Sequence, residues 1–106
     1  MNSVIDEIVK DINLNYNKRI ILGTYAEKYN VNPCYLSNVF KSVIGVSFTT
    51  YLLEQRLKKA VELLKNTSLT LYEISDKVGY DDYFHFSKLF KKYKGVSPKL
   101  FRKRFV

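Results

Sequence analysis

A chain of 106 residues is the size of one domain with one core, and its 46% apolar and 15% aromatic content excludes the weakly hydrophobic, highly charged composition of disordered chains. The formal charge of +8 is unevenly spread: residues 1–46 carry 5 Lys/Arg against 4 Asp/Glu, and residues 47–106 carry 13 against 6. No apolar run approaches the roughly 20 residues of a membrane span, Asp6, Glu7, Lys10 and Asp11 interrupt any signal-like region, and the single Cys34 forms no internal disulfide, so a cytoplasmic protein away from the membrane is expected.

The spacing of apolar residues predicts an all-α fold of seven helices, since no stretch alternates apolar and polar cleanly. The first spans 3–16 and the second 22–29. The third, 33–44, follows Asn32 as N-cap with Pro33 at the first helical position, and Gly45 suits the left-handed residue after its end. A long fourth helix covers 48–65. The fifth, 71–78, opens on a Thr70 and Glu73 capping box. The sixth, 82–94, stops at Gly95, and the last, 98–104, starts on Ser97 and Pro98.

An internal repeat organises these elements. The stretch from Val39 to Phe48 recurs fifty positions later as Leu89 to Pro98, with the same Phe-Lys and Gly-Val-Ser elements. Upstream the offset is forty-nine, pairing Leu22 with Leu71, Tyr25 with Ile74, Ala26 with Ser75, Tyr29 with Val78 and Val31 with Tyr80. Each copy has the layout of a helix-turn-helix, whose two short helices share a small core. Ala26 and Ser75 meet the demand for a small side chain where the helices cross, and Asn30 and Gly79 tolerate the positive φ of the reversal. The expected organisation is one domain, 1–106, with a first helix-turn-helix subdomain over 1–46, a linker helix over 47–65 and a second subdomain over 66–106.

From about Val4 to Phe105 the sequence resembles the DNA-binding domain of the AraC/XylS family of bacterial transcription regulators. The resemblance rests on Leu36-Ser37-Asn38-Val39-Phe40-Lys41, on Tyr51 to Leu57 with Ala60 and Leu63-Leu64, on Glu73-Ile74-Ser75 with Val78-Gly79-Tyr80, and above all on Phe86 to Pro98 followed by Phe101-Arg102. The opening, Ile5 to Tyr16, is similar to the first helix of this domain in two-component response regulators. Departures are Ser75 where Ala is usual, Asn30 where Gly is frequent and His85 where Tyr is common.

In a helix-turn-helix the second helix enters the major groove, which makes 33–44 and 82–94 the readers. Burying Leu36, Val39, Phe40 and Val43 turns Cys34, Ser37, Asn38 and Lys41 outward. Burying Phe86, Leu89, Phe90 and Tyr93 leaves Tyr83, Phe84, Ser87, Lys88 and Lys91 outside. The resemblance implies base contacts at Cys34, Ser37, Asn38, Tyr83, Phe84 and Lys88. Asn can bond adenine twice, Lys can donate to guanine, and an aromatic ring can meet a thymine methyl. Phosphates are expected at Lys41, Ser87, Lys91, Lys92 and Arg102, and at the amides of the helix starts near Ser47 and Ser97. The linker helix, roughly 28 Å at about 1.5 Å per residue, compares with the roughly 34 Å of one DNA turn. One chain could then address two successive major grooves at a non-palindromic double-stranded site.

Duller readings of the same residues stand beside these. His85 reads as a packing residue, Tyr83 and Phe84 also read as a protein-docking patch, and Arg102, Lys103 and Arg104 also read as the solvated face of the last helix. One His, one Cys, no phosphate-cradling glycine loop and no His/Cys metal spacing provide no catalytic constellation, so neither enzyme activity, cofactor nor metal is expected. The expected partners are DNA, RNA polymerase and an N-terminal sensing or receiver domain outside this chain. The alternatives are a small stand-alone activator of the same type and a basic helical protein-binding module.

Overall fold

A computed structural model describes residues 2–105, and among them are seven helices and no strand. They are α1 (Asn2–Asn15), α2 (Leu22–Lys28), α3 (Pro33–Ile44), α4 (Phe48–Asn66), α5 (Leu71–Lys77), α6 (Tyr83–Lys94) and α7 (Pro98–Phe105). The chain divides into two compact units within α4, between Gln55 and Arg56.

In the first unit, Val4, Ile5, Ile8 and Ile12 fall on one stripe of α1 at helical spacing and are all buried. They meet Ala26 of α2, Leu36 and Phe40 of α3 and Phe48 of α4 in one core. The seven-residue α2 is too short to persist alone in water and is held by this packing. Ala26 is 1% exposed, so a larger side chain there would have to be accommodated inside the core. Polar contacts add to the hold on α1: Tyr25 donates to Asp11 Oδ2 at 2.7 Å, Lys28 Nζ pairs with Glu7 at 2.8 Å, and the Tyr29 hydroxyl donates to the same Glu7 carboxylate.

The second unit repeats the design. Leu57, Ala60 and Leu64 of α4, Ile74 and Ser75 of α5, Val78, Tyr80, and Phe86 and Phe90 of α6 are buried. The aromatic rings form a chain from Tyr80 to Phe86 at 5.6 Å, Phe86 to Phe90 at 5.8 Å and Phe90 to Phe101 of α7 at 5.5 Å. The buried Ser75 hydroxyl donates to the Tyr80 carbonyl at 3.2 Å, so the polar atom in this Ala-sized site is hydrogen-bonded rather than left unpaired.

The helix ends follow their chemistry. Asn32 accepts from Cys34 N at 2.8 Å, Thr70 from Glu73 N at 3.1 Å, and Asp82 from Phe84 N at 2.9 Å. Gly45 and Gly95 are left-handed, at φ 96° and 83°, and each donates to the carbonyl four residues back at 2.8 Å. The two reversals match as well. Asn30 and Gly79 take φ of 53° and 101°, and Val31 N donates to Ala26 O at 2.9 Å as Tyr80 N does to Ser75 O at 3.0 Å.

Two residues expected inside, Val43 and Tyr93, are not, and neither is Tyr29, which the repeat pairs with the buried Val78. Val43 and Tyr93 are 51% and 44% exposed, and Tyr29 is 37% exposed. Burial on α3 follows the row Leu36, Phe40, Ile44, spaced by four, which leaves Val43 outside it. Tyr93, fifty positions on, lies under the Lys92 ammonium, 5.8 Å from its ring. Tyr29 faces the solvent side of α1, where its hydroxyl donates a hydrogen bond to Glu7. His85 is exposed and packs edge-on against Tyr80 at 5.8 Å.

Candidate nucleic-acid interface

Each helix-turn-helix unit presents one face of its second helix to solvent. On α3 the exposed positions include Cys34, Ser37, Asn38 and Lys41, which share a side because they are three or four residues apart. Fifty positions later α6 presents Phe84, Ser87, Lys88 and Lys91 in the same rows, with Ser87 half-buried. The two faces therefore coincide in position and differ in chemistry. One offers a thiol, a hydroxyl, an amide and an ammonium, and the other a phenyl ring, a hydroxyl and two ammonium groups. Both helices begin on a capped turn, so the side chains at their N-terminal ends stand on fixed backbone.

The aromatic end of α6 is more built up than the sequence suggests. Tyr83 is half-buried, with its ring 4.5 Å from Tyr72 of α5 and 5.6 Å from Phe84. Phe84 and Tyr72 are 67% and 62% exposed. Tyr35 of α3, 52% exposed and paired with His85 by the repeat, also lies on the solvent side. The sequence reading omits both Tyr72 and Tyr35. The burial stripe of Leu36 and Phe40 was enough to place Tyr35 outside, whereas Tyr72 emerges only through its contact with another helix.

Ser47 and Ser97 cap α4 and α7: Ser47 Oγ accepts from Thr50 N at 3.1 Å and Ser97 Oγ from Leu100 N at 3.2 Å. Their hydroxyls are engaged inside the turn, and the amides of Phe48 and Thr49, and of Lys99 beyond Pro98, are the donors such helix starts leave without a helical partner. Lys91 and Lys92 are exposed in the last turn of α6, where their charge also complements the helix C-terminus.

Arg102 departs from its expected place among the phosphate contacts. Its Nε donates to the Leu64 carbonyl at 3.2 Å, and its terminal nitrogens donate to Thr67 at 3.1 Å, Leu63 at 3.4 Å and Leu69. The last carbonyls of a helix lack the full set of helical donors; Leu63 O accepts from Thr67 N and Oγ1, and the guanidinium of Arg102 adds donors there and at Leu64. The side chain is thus turned back onto the end of α4.

Among the described residues no group of three His, Cys, Asp or Glu could hold a metal ion, and no helix is long and apolar enough to cross a membrane.

A helix-turn-helix domain family model matches residues 25–104. The chain is 36% identical over 99 residues to the Msm operon regulatory protein of Streptococcus mutans, covering 93% of this chain and 36% of that protein. It spans 36% or less of the length of the first curated relatives that it matches. Among solved structures it is similar to the C-terminal domain of AraT, a response regulator from Geobacillus stearothermophilus, with a TM-score of 0.89, 38% identity, and coverage of 95% of this chain and 84% of that one. The DNA-binding domain of AdpA, solved with a target DNA, shares the fold at a TM-score of 0.87 and 20% identity over 95% of this chain and 91% of that one. With its model match over most of the length and two capped helix-turn-helix units in the residues themselves, the chain belongs to the AraC/XylS-type helix-turn-helix family and is a DNA-binding domain of a transcription regulator.

Proposed function

We propose that α3 and α6 each read a stretch of major groove in double-stranded DNA, and that the two stretches differ in sequence because the two reading faces differ in chemistry. Cys34, Ser37 and Asn38 would meet base edges from α3, and Tyr83, Phe84 and Lys88 from α6. Lys41, Ser87, Lys91, Lys92 and the amides beside Ser47 and Ser97 would hold phosphates and give affinity that falls with salt. Arg102 is left out of this set because its donors are engaged by carbonyls of its own chain. The observation that carries the reading is the pair of matched, solvent-facing rows, Cys34, Ser37, Asn38, Lys41 and Phe84, Ser87, Lys88, Lys91.

In this reading the site is non-palindromic, the two grooves are successive, and one chain suffices to occupy it. The domain acts in the bacterial cytoplasm, has no catalytic role, and serves as the output part of a larger regulator that communicates with RNA polymerase. Supporting a sensing or receiver domain in the whole regulator are the greater length of the curated relatives and the response-regulator origin of the AraT domain. Selection of bound duplexes from a random pool at about 150 mM salt tests the reading. An enriched, asymmetric motif is expected, and a pool that shows no enrichment would refute it.

A further inference from the structure

We propose that Tyr72, which lies on α5 outside both reading helices, is a positioning residue for sequence recognition: it clamps Tyr83 so that the start of α6 presents a fixed apolar edge to a thymine methyl group. The inference rests on the DNA-reading function above. The Tyr72 and Tyr83 rings lie 4.5 Å apart and tilted by 35°, close to an offset stack. On its other sides Tyr83 meets Phe84 at 5.6 Å and the buried Phe86 at 6.4 Å. Tyr83 is thus held between a core ring and Tyr72, and Phe84 projects beyond it with 67% of its surface exposed.

The helix-turn-helix layout as such does not require this arrangement. The repeat pairs Tyr72, Tyr83 and Phe84 with Gly23, Pro33 and Cys34, and the first unit forms the same turn and the same capped helix with none of the three rings. A cluster present in one copy only, with Tyr72 and Phe84 exposed to water, is placed for something outside the unit. Phe84 has no donor or acceptor, so hydrogen-bond readout is closed to it. The apolar mark on a major-groove base edge is the C5 methyl of thymine. A ring that swings freely gains little from a single methyl group, whereas a ring braced by Tyr83, and Tyr83 by Tyr72, loses less freedom on binding.

The test uses the DNA site selected by the parent chain, with thymines replaced singly by deoxyuridine, which removes the methyl alone. A thymine whose replacement weakens the parent by about fourfold, the worth of one buried methyl-sized group, and does not weaken Phe84→Ala, marks the contact. Tyr72→Ala is expected to lose the distinction between thymine and uracil at that position, with its folding checked by circular dichroism, and Tyr72→Phe to retain it. A folded Tyr72→Ala that keeps the parental ratio overturns the proposal, and leaves the exposed rings to a protein partner. So does a selected site in which no thymine is sensitive to its methyl. If the parent selects no sequence at all, the DNA-reading function itself falls and the inference with it.

Discussion

Arg102 and Leu64 are joined by a hydrogen bond from Nε to the carbonyl oxygen at 3.2 Å, although the residues stand 38 positions apart. Together with the bonds to Leu63, Thr67 and Leu69, it makes one guanidinium the cap of α4 and the anchor of the loop before α5. These carbonyls are partly open to water, so the loss of Arg102 is discounted from the sum of its bonds, and Arg102→Ala is expected to cost about 2 kcal/mol. Arg102→Lys should recover less than half, because an ammonium cannot reach four oxygens as a planar fork does. Urea unfolding measures both. The number of counterions released on DNA binding should be unchanged in the folded variants, and a salt slope lowered by about one would return Arg102 to the phosphate contacts.

Gly45 and Gly95 isolate the conformational term of a helix end. Both lie at positive φ, and a Cβ built on either meets nothing within 4 Å. Substitution to Ala therefore brings no clash, only the cost of the left-handed backbone, about 1 kcal/mol at each site. Asn should cost less than Ala, since its short amide tolerates this region, as Asn30 does here at φ 53°. Thermal unfolding of the four single variants would show the order Gly, Asn, Ala at both positions. A loss well above this at either site would mean that the space around the Cβ is occupied in solution.

What is legible in the sequence is what is local or repeated. Asn32, Thr70, Gly45 and Gly95 act within four residues of themselves, and the helices they bound lie within one residue of the expected limits. The outward residues of α3 and α6 follow from the same periodicity and are found exposed, except Tyr83 and Ser87, which are half-buried. What escapes depends on chain segments far apart. Arg102 sits in a run of basic residues after Asp82 and looks like one more phosphate ligand until α7 is seen to turn it toward the end of α4. Tyr72 looks like an ordinary surface residue until α5 brings it to Tyr83. Val43 differs from Ile44 by one position, and only the core that receives Ile44 decides between them.

Two groups on the seam between α1 and α2 give opposite pH responses. Burial and the hydrogen bond to Asp11 push the Tyr25 phenol well above its ordinary value of 10.0. The unfolded chain then releases this proton first, so the stability is fully present below pH 10 and declines as pH rises further. Glu7 is held below its ordinary 4.5 by hydrogen bonds from Lys28 and Tyr29. Its contribution is present above that value and is lost as pH falls through the depressed one. Tyr25→Phe should make the alkaline limb of the stability profile shallower and leave the acid limb intact, whereas Glu7→Gln should flatten the acid limb and also reduce the alkaline one, because Glu7 holds Lys28 and Tyr29 above their ordinary values. Parallel profiles for parent and variant on the corresponding limb would show that the group's proton is not linked to folding.

Asn38, Lys88 and Lys92 separate reading from holding. Asn38 and Lys88 occupy the same row of the two recognition helices, fifty residues apart, and both are exposed in the middle of the face. Loss of a base contact costs about 1–3 kcal/mol on the preferred sequence and little on others. Asn38→Ala and Lys88→Ala should therefore each relax the selected motif, and in different parts of it, because the amide and the ammonium serve different helices. Lys92 lies in the last turn of α6, away from the capped end, where a phosphate contact, as proposed, would add affinity without information. Lys92→Ala should weaken every duplex alike and lower the slope of log affinity against log salt by about 0.9. Selection from a random pool reports the motif, and titration at several salt concentrations reports the slope. Equal weakening on all sequences for Asn38→Ala would move that residue from the base edges to the backbone, and with it the claim that α3 reads.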